Sequence, residues 1–170
     1  MILVADVSGK GIPAAMFMMR AKTELKTLTE AGLPVSEVFM KANEALCDEN
    51  DAGMFVTAWQ GVVNFDSGIL KFANAGHNPP LLMHKGGDFE YLKSKVNLVL
   101  AGMDGVPYKE QELQMNPGDI LFLYTDGVTE GTDANNELYG EDRLLNILNR
   151  CKDKSVRDIC DAVKLDLDAF

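Results

Sequence analysis

The chain has 170 residues, of which 46% are hydrophobic and 25% charged, a composition typical of a globular domain. Its 26 acidic and 16 basic residues give a formal net charge of -10, which disfavours binding to nucleic acid or to an anionic membrane. The first residues lack the basic n-region and apolar h-region of a signal peptide, and no apolar run approaches the roughly 20 residues of a membrane span. The three cysteines, Cys47, Cys151 and Cys160, lie in unrelated contexts. We therefore expect one compact cytoplasmic domain without membrane insertion.

The chain opens with an apolar strand that ends in a carboxylate and turns into a helix. In ILVADVSGKGIPAAM, residues 2–16, Asp6 ends the strand and a glycine-rich turn follows. Pro13 marks the start of the helix, where its missing N–H is no loss, and we expect the helix to reach about Leu28. One face of this helix is marked by Ala15, Met16, Met19 and Thr23.

A second helix and two predicted hairpins follow. After a break at residues 32–34, apolar residues recur at helical spacing from Val35 to Leu46. The segment MFVTAWQGVVNF alternates as a strand does and turns at residues 66–68 into ILKFANA. The segments LLMHK and FEYLK flank another turn at residues 86–88. The middle of the chain is therefore predicted to consist of antiparallel strands.

The last third returns to helices after one more pair of strands. Residues 116–119 separate QELQM from ILFLYT, and we expect these two strands to pair with each other. Leucines at helical spacing begin a helix near Leu144, and Ser155 with Asp158 forms a capping box for the final helix. Helices at both ends of hairpin-connected strands favour an antiparallel α+β fold over a parallel βαβ sheet.

A second carboxylate follows an apolar strand in LFLYTDGVTE, residues 121–130. Taken alone, Asp126-Gly127 is a common turn signal, because glycine tolerates positive φ and aspartate hydrogen-bonds the local backbone. Taken alone, Asp6 is explained equally well as a carboxylate that complements a helix dipole. Two carboxylates at the ends of two apolar strands, however, outline a cation site.

Three segments, in order and spacing, resemble the SpoIIE-like (RsbU-type) branch of the metal-dependent type 2C (PPM) serine/threonine protein phosphatases. They are ADVSGKGIPAAM, FVTAWQGVVNFDSGILKFANAGHNPPLLM and NPGDILFLYTDGVTEGTDANNELYGEDRLLNIL. The resemblance runs from Ile2 to about Leu148. It implies an α+β fold, a four-layer α-β-β-α sandwich of two antiparallel sheets with helices outside, with an active site at one end that holds two Mn or Mg ions.

The resemblance also implies roles for individual residues. Asp6 is the bridging carboxylate, Val7 offers its backbone carbonyl to one metal, and Asp126 holds the other, so that Asp6 and Asp126 are the catalytic residues. Such oxygen donors suit Mg and Mn, and two cations about 4 Å apart activate water and neutralise phosphoryl charge. The candidate substrate or loop residues are Gly9, Lys10, Gly11 and Gly127. We expect Gly9 and Gly11 to let the backbone pass close to the metals.

Two other loop motifs do not fit these residues. The stretch Ser8–Gly11 lacks the spaced first glycine and the Ser or Thr that a nucleotide P-loop requires. It is not a nucleophile elbow either, because Asp6 occupies a position that requires glycine. Lys10 is equally well explained as a solvated surface residue.

Several remaining residues are interpreted as structural. We expect His77, in NAGHNPP, to be structural, and His84 and the three cysteines to be packing residues, since none has zinc-ligand spacing. The nine methionines are interpreted as core filler. The solvated face of the last helix is predicted to carry Asp158, Asp161, Asp166 and Asp168.

Two elements of the family pattern are missing from residues 1–170. Family members carry a strand with a G-G-D motif before the first strand and a D-D-x-T strand at the end, each with a metal-ligating aspartate. We therefore expect the central portion of a single phosphatase domain, incomplete at its sheet edges, that binds two cations weakly and has at most weak phosphatase activity by itself. We also expect it to form a homodimer through those edges.

The implied substrate is phosphoserine on a regulatory protein such as an anti-sigma-factor antagonist. The implied biological setting is bacterial stress signalling, under an upstream sensor or regulatory domain of the parent protein. The alternative hypothesis is a catalytically silent, phosphatase-like interaction module that keeps the fold.

Overall fold

The computed structural model describes residues 1–170 and divides into two units. The first unit consists of Met1–His77 and Ser94–Met115, and the second of Asn78–Lys93 and Asn116–Phe170. No helix has the length and apolar character needed to cross a membrane. In chain order the elements are β1 (Ile2–Val7), α1 (Ile12–Glu30), α2 (Val35–Cys47), β2 (Val56–Val63), β3 (Ile69–Ala75), β4 (Leu81–Met83), β5 (Phe89–Tyr91), β6 (Gln111–Gln114), β7 (Ile120–Phe122), α3 (Asp126–Thr129), α4 (Glu141–Cys151) and α5 (Val156–Asp168).

A four-stranded antiparallel sheet in the order β1-β2-β3-β6 is the frame of the first unit. The predicted hairpin between β2 and β3 is confirmed. Strand β1 lies at the sheet edge and pairs with β2 along its whole length, with Asp6 directly opposite Thr57. Because side chains alternate along a strand, Leu3, Ala5 and Val7 pack into the core with α1 and α2, and Asp6 lies on the opposite face of the sheet.

Helix α1 packs on the sheet with a different face from the one marked in the sequence. Its buried residues are Ala14, Phe17, Ala21 and Leu25. The four marked residues are all exposed, and Met16 and Met19 are 67% and 70% accessible to solvent. The interpretation of the methionines as core filler is therefore wrong for these two, and also for Met1 and Met103, which are exposed as well. This helix carries apolar residues on both sides, so its own periodicity does not decide which side meets the sheet.

The second unit contains a three-stranded antiparallel sheet in the order β5-β4-β7. The predicted hairpin between β4 and β5 is confirmed, but the predicted pairing of β6 with β7 is wrong, since β6 pairs with β3 and β7 with β4. The turn before β7 explains this outcome. The Asp119 carboxylate accepts the N–H groups of Asn116 at 3.0 Å and of Lys85 at 2.9 Å, and it contacts His84 Nδ1 at 2.9 Å. These contacts tie the turn to the end of β4.

Helices α4 and α5 supply the apolar core of the second unit, together with residues of its sheet. The predicted capping box at the start of α5 is confirmed, because the Ser155 hydroxyl accepts the N–H of Asp158 at 3.2 Å. Asp166 is not a solvated residue as predicted. Its carboxylate accepts the Tyr139 hydroxyl at 2.7 Å and Arg143 Nε at 3.0 Å. The pKa of Asp166 is lowered by these two partners against the effect of its partial burial.

Two of the residues interpreted as packing are exposed. The side chain of His84 is 60% exposed and pairs with Asp119. Cys160 is exposed, whereas Cys151 is buried and Cys47 is half-buried, and none of the three cysteines forms a disulfide. The packing interpretation therefore holds for Cys151 and is wrong for His84 and Cys160.

Taken with the helices, the two antiparallel sheets confirm the α+β class.

Candidate metal centre

Asp6 lies near the end of β1, on the sheet face that α1 and α2 leave uncovered. Its carboxylate Oδ1 accepts the N–H of Val7 at 2.9 Å. The hydroxyl of Thr57, on the neighbouring strand, contacts the carbonyl oxygen of Asp6 at 3.4 Å. All three residues are half-buried. The strand end thus presents a carboxylate whose backbone is fixed on the sheet.

The loop after β1 is tied to the start of β2 and then opens to solvent. The N–H of Ser8 donates to the carbonyl of Phe55 at 2.9 Å, and the N–H of Phe55 donates to Ser8 Oγ at 2.9 Å. Gly9 and Gly11 adopt φ of 84° and 82°, and a Cβ on either would meet no atom within 4 Å. These glycines are therefore needed for their left-handed backbone, with open space beside them. The side chain of Lys10, between them, is exposed.

The NAGH segment brings His77 against this strand end. The Nδ1 atom of His77 lies 2.9 Å from the hydroxyl of Thr57. The Asn74 side chain holds the turn reciprocally, because its Nδ2 donates to the His77 carbonyl at 2.9 Å and its Oδ1 accepts the His77 N–H at 2.7 Å. His77 is 4% exposed, in agreement with its interpretation as a structural residue, and it also reaches the strand that faces Asp6.

Thr57 and Ser8 are site neighbours that sequence reasoning did not single out. A signal was present for Thr57, one of the two polar residues in the FVTAWQG segment, with Gln60. It becomes meaningful only after that strand is paired with β1 in the observed register, which places Thr57 opposite Asp6. Ser8 follows Asp6 by two residues in the sequence. Its partner Phe55 lies 47 residues away, so the contact between them could not be predicted from the local sequence.

Asp126 lies in the second unit, at the first residue of the one-turn helix α3. Its carbonyl accepts the N–H of Glu130 at 2.7 Å and the hydroxyl of Thr129 at 3.3 Å. No hydrogen bond or ion pair of the protein involves its carboxylate, and the residue is half-buried. Gly127 follows it, and the nearest atom to a Cβ built there would be Thr125 Oγ1 at 3.7 Å.

The structure therefore brings Asp6, Val7 and the loop Ser8–Gly11 together in the first unit, and it places Asp126 with Gly127 in the second. No group of three or more His, Cys, Asp or Glu side chains is arranged to hold a metal ion. The donors present are carboxylate and carbonyl oxygens, the types that Mn and Mg prefer. That Asp6 and Asp126 share a cation cluster stays a prediction.

Comparisons with known proteins identify relatives of this chain. The chain is 37% identical over 130 residues to the phosphoserine phosphatase RsbU of Bacillus subtilis (strain 168), an alignment that covers 76% of this chain and 38% of RsbU. The chain thus spans well under half the length of this curated relative.

Solved structures show the same fold. The SiaA-PP2C domain of Pseudomonas aeruginosa superimposes with a TM-score of 0.79 at 20% identity, covering 99% of this chain and 66% of that one. RsbX in complex with magnesium superimposes with a TM-score of 0.69 at 20% identity, covering 96% of this chain and 71% of that one. The family model described as Stage II sporulation protein E (SpoIIE) matches residues 1–169. The chain therefore belongs to the SpoIIE family and has its PP2C-like α+β fold.

Proposed function

We propose that this chain is a protein serine phosphatase, or the core of one, that depends on Mn or Mg and hydrolyses phosphoserine on a regulatory protein such as an anti-sigma-factor antagonist. Its relative RsbU, named a phosphoserine phosphatase, supports the reaction class. The observation that carries the proposal is the strand end at Asp6. There, carboxylate and carbonyl oxygens lie beside a loop whose glycines face open space.

The donor atoms fit hard divalent cations. We propose that the Asp6 carboxylate and the Val7 carbonyl would hold one cation and that Asp126 would hold another. When bound, two divalent cations neutralise phosphoryl charge and activate a water nucleophile. The structural neighbour RsbX was solved with magnesium, which supports a divalent cation in the same fold.

The residues of the chain have their own tasks in this proposal. The Val7 N–H holds one carboxylate oxygen of Asp6 and thereby orients the other. Lys10 is exposed in the loop, where its ammonium group can donate to a phosphate oxygen. The net charge of -10 repels phosphate at long range, so bound cations are needed for the substrate to approach.

The proposal also includes control by a sensor or regulatory domain, a cytoplasmic location and pairing of two copies. The three cysteines, none of which forms a disulfide, support a reducing compartment.

Pairing of two copies is supported by the edge strand β1, beside which a groove of about 330 Å³ is lined mainly by apolar residues of β1 and α1. Sedimentation of the purified chain tests the pairing, and a monomer at concentrations well above micromolar contradicts it.

A second candidate function is a catalytically silent interaction module. The observation that favours it is that no three acidic, histidine or cysteine side chains are arranged around one position. Two carboxylates offset little of the repulsion between two divalent cations, so we expect weak cation binding even if the chain is active.

Titration with Mn decides between the two functions. Hydrolysis of a phosphoserine peptide by the purified chain is expected to rise with Mn concentration. Replacement of Asp6 or Asp126 by Asn is expected to reduce it at least about tenfold. The control Asp161→Asn changes an exposed aspartate of α5 and is expected to retain the rate. Absence of hydrolysis at every Mn concentration contradicts the phosphatase proposal and supports the silent module.

A further inference from the structure

We propose that His77 is a positioning residue for the cation site at Asp6, and that it acts through the hydroxyl of Thr57. The inference rests on the proposed function, because it requires a cation at Asp6. It assigns to the NAGH segment a task beyond holding its own turn.

Thr57 is the link between the two residues. It lies directly opposite Asp6 in the β1–β2 register, and directly opposed residues of an antiparallel pair point to the same face with Cβ atoms about 4.5–5.5 Å apart. Its Oγ1 is 2.9 Å from His77 Nδ1 and 3.4 Å from the Asp6 carbonyl oxygen. One hydroxyl group therefore contacts both the histidine and the residue that carries the candidate ligand.

The direction of the hydrogen bonds follows from the single proton of the hydroxyl. A threonine hydroxyl donates once and accepts through its oxygen. When Thr57 donates to the Asp6 carbonyl, the contact with His77 requires Nδ1–H to be the donor. We therefore assign the Nδ1–H form to His77, the form that satisfies both contacts at once. In this arrangement the ring keeps the hydroxyl turned toward Asp6.

The histidine is itself rigidly placed. The Asn74 side chain holds both the N–H and the carbonyl of His77. The preceding residue, Gly76, has φ of 69°, and a Cβ there would lie 2.5 Å from Val99 Cγ1. His77 is 4% exposed, so its ring has little freedom to rotate away from Thr57. This rigidity allows His77, acting through Thr57, to fix the backbone of Asp6.

Residues that orient metal ligands in this way typically change metal affinity or activity by about 10–100-fold when replaced. A purely structural histidine would lower stability without a specific effect on the cation. The two roles therefore differ in what the Thr57 and His77 variants do to Mn affinity, and in whether their effects are independent.

The test measures Mn affinity of the whole chain by the electron paramagnetic resonance signal of free Mn, and folding by urea denaturation. Thr57→Val keeps the side-chain shape without the hydroxyl, and His77→Phe keeps an aromatic ring without Nδ1. Each is expected to weaken Mn binding about tenfold or more. The double variant is expected to bind no more weakly than the weaker single variant, because both changes break one chain of contacts.

Conservative variants provide the controls. Thr57→Ser keeps the hydroxyl, and His77→Asn places an amide near the position of Nδ1, so both are expected to restore most of the affinity. His84→Gln changes the other histidine of the chain, in the second unit, and is expected to leave Mn affinity unchanged. If His77→Phe fails to fold, the comparison of Thr57→Val with Thr57→Ser decides alone.

The outcomes separate this inference from the proposed function. If Asp6→Asn weakens Mn binding but Thr57→Val and His77→Phe do not, the positioning role is overturned and the proposed function stands. If the losses of Mn affinity caused by the two single changes multiply in the double variant, the positioning role is overturned as well. If the unaltered chain binds no Mn, or if Asp6→Asn has no effect, the proposed function fails and the positioning role fails with it.

Discussion

The two strand ends that carry the candidate ligands are held in different ways. In the first unit, Asp6 accepts the N–H of Val7 through its carboxylate and contacts the Thr57 hydroxyl through its carbonyl. In the second unit, Asp126 begins a one-turn helix and only its backbone carbonyl is engaged, by Glu130 and Thr129. The difference teaches that one carboxylate is oriented by a hydrogen bond of the protein, whereas no hydrogen bond or ion pair of the protein fixes the other. Four predictions test this contrast, from the largest expected effect to the smallest.

The glycines beside the two sites should respond very differently to alanine. Gly76 has φ of 69°, and an added Cβ would lie 2.5 Å from Val99 Cγ1, whereas the nearest atom at Gly127 is 3.7 Å away. We expect Gly76→Ala to lower the free energy of unfolding by about 2–4 kcal/mol, through backbone strain and overpacking. Gly127→Ala should change it by less than about 1 kcal/mol. Urea denaturation measures both, and equal effects would contradict a rigid support for His77.

The second unit has its own polar contact, which is made by Asp166. Asp166 accepts the hydroxyl of the buried Tyr139 and Arg143 Nε. We expect Asp166→Ala to lower the free energy of unfolding by about 1–3 kcal/mol, because it leaves a buried hydroxyl without its acceptor. Asp161→Ala, an exposed position on the same helix, is the matched control and should stay within about 0.5 kcal/mol. Thermal or urea denaturation that ranks the two variants equally would refute the contact.

The two candidate ligands themselves should differ in stability measurements made with a chelator present. Asp6→Ala removes the acceptor of the Val7 N–H, and we expect a loss of about 1 kcal/mol. Asp126→Ala removes a carboxylate that makes no hydrogen bond or ion pair with the protein, and the free energy of unfolding should change by less than about 0.5 kcal/mol. A larger loss for Asp126→Ala would reverse the contrast between the two strand ends.

The smallest expected effect is a pH dependence at the turn that precedes β7. Burial would raise the pKa of Asp119, but hydrogen bonds from the Asn116 N–H, from His84 and from the Lys85 N–H outweigh it and lower this pKa to about 2. The stabilisation is therefore fully present above the unfolded-state pKa of about 3.9 and is lost as the pH falls through about 2.

We expect this stabilisation to be up to about 1 kcal/mol, since the exposed His84 partner is screened by solvent. Urea denaturation at pH 5 and pH 2 measures it, and Asp119→Asn should flatten the dependence. If the unaltered chain and Asp119→Asn lose stability equally between these two pH values, the contact does not stabilise the turn.

Local features of the fold were predictable because their signals are local. Polar turns at residues 66–68 and 86–88 join strands that alternate, and both hairpins are present. The Ser155 capping box marks the start of α5 as expected. The Asp6 and Asp126 motifs, at the ends of apolar strands, also led to the family that residues 1–169 match. The roles of these two residues as metal ligands stay predictions.

What the sequence by itself determined is the four longer helices, the β2–β3 and β4–β5 hairpins, the position of each carboxylate near the end of an apolar strand, and the family. Only the tertiary structure decided that β7 pairs with β4, that α1 buries Phe17 and exposes Met16, and that Thr57 lies between Asp6 and His77. The physical reason is the range of the interactions. Turns, caps and periodicity depend on neighbours within a few residues, whereas strand partners and buried helix faces depend on packing against segments distant in the chain.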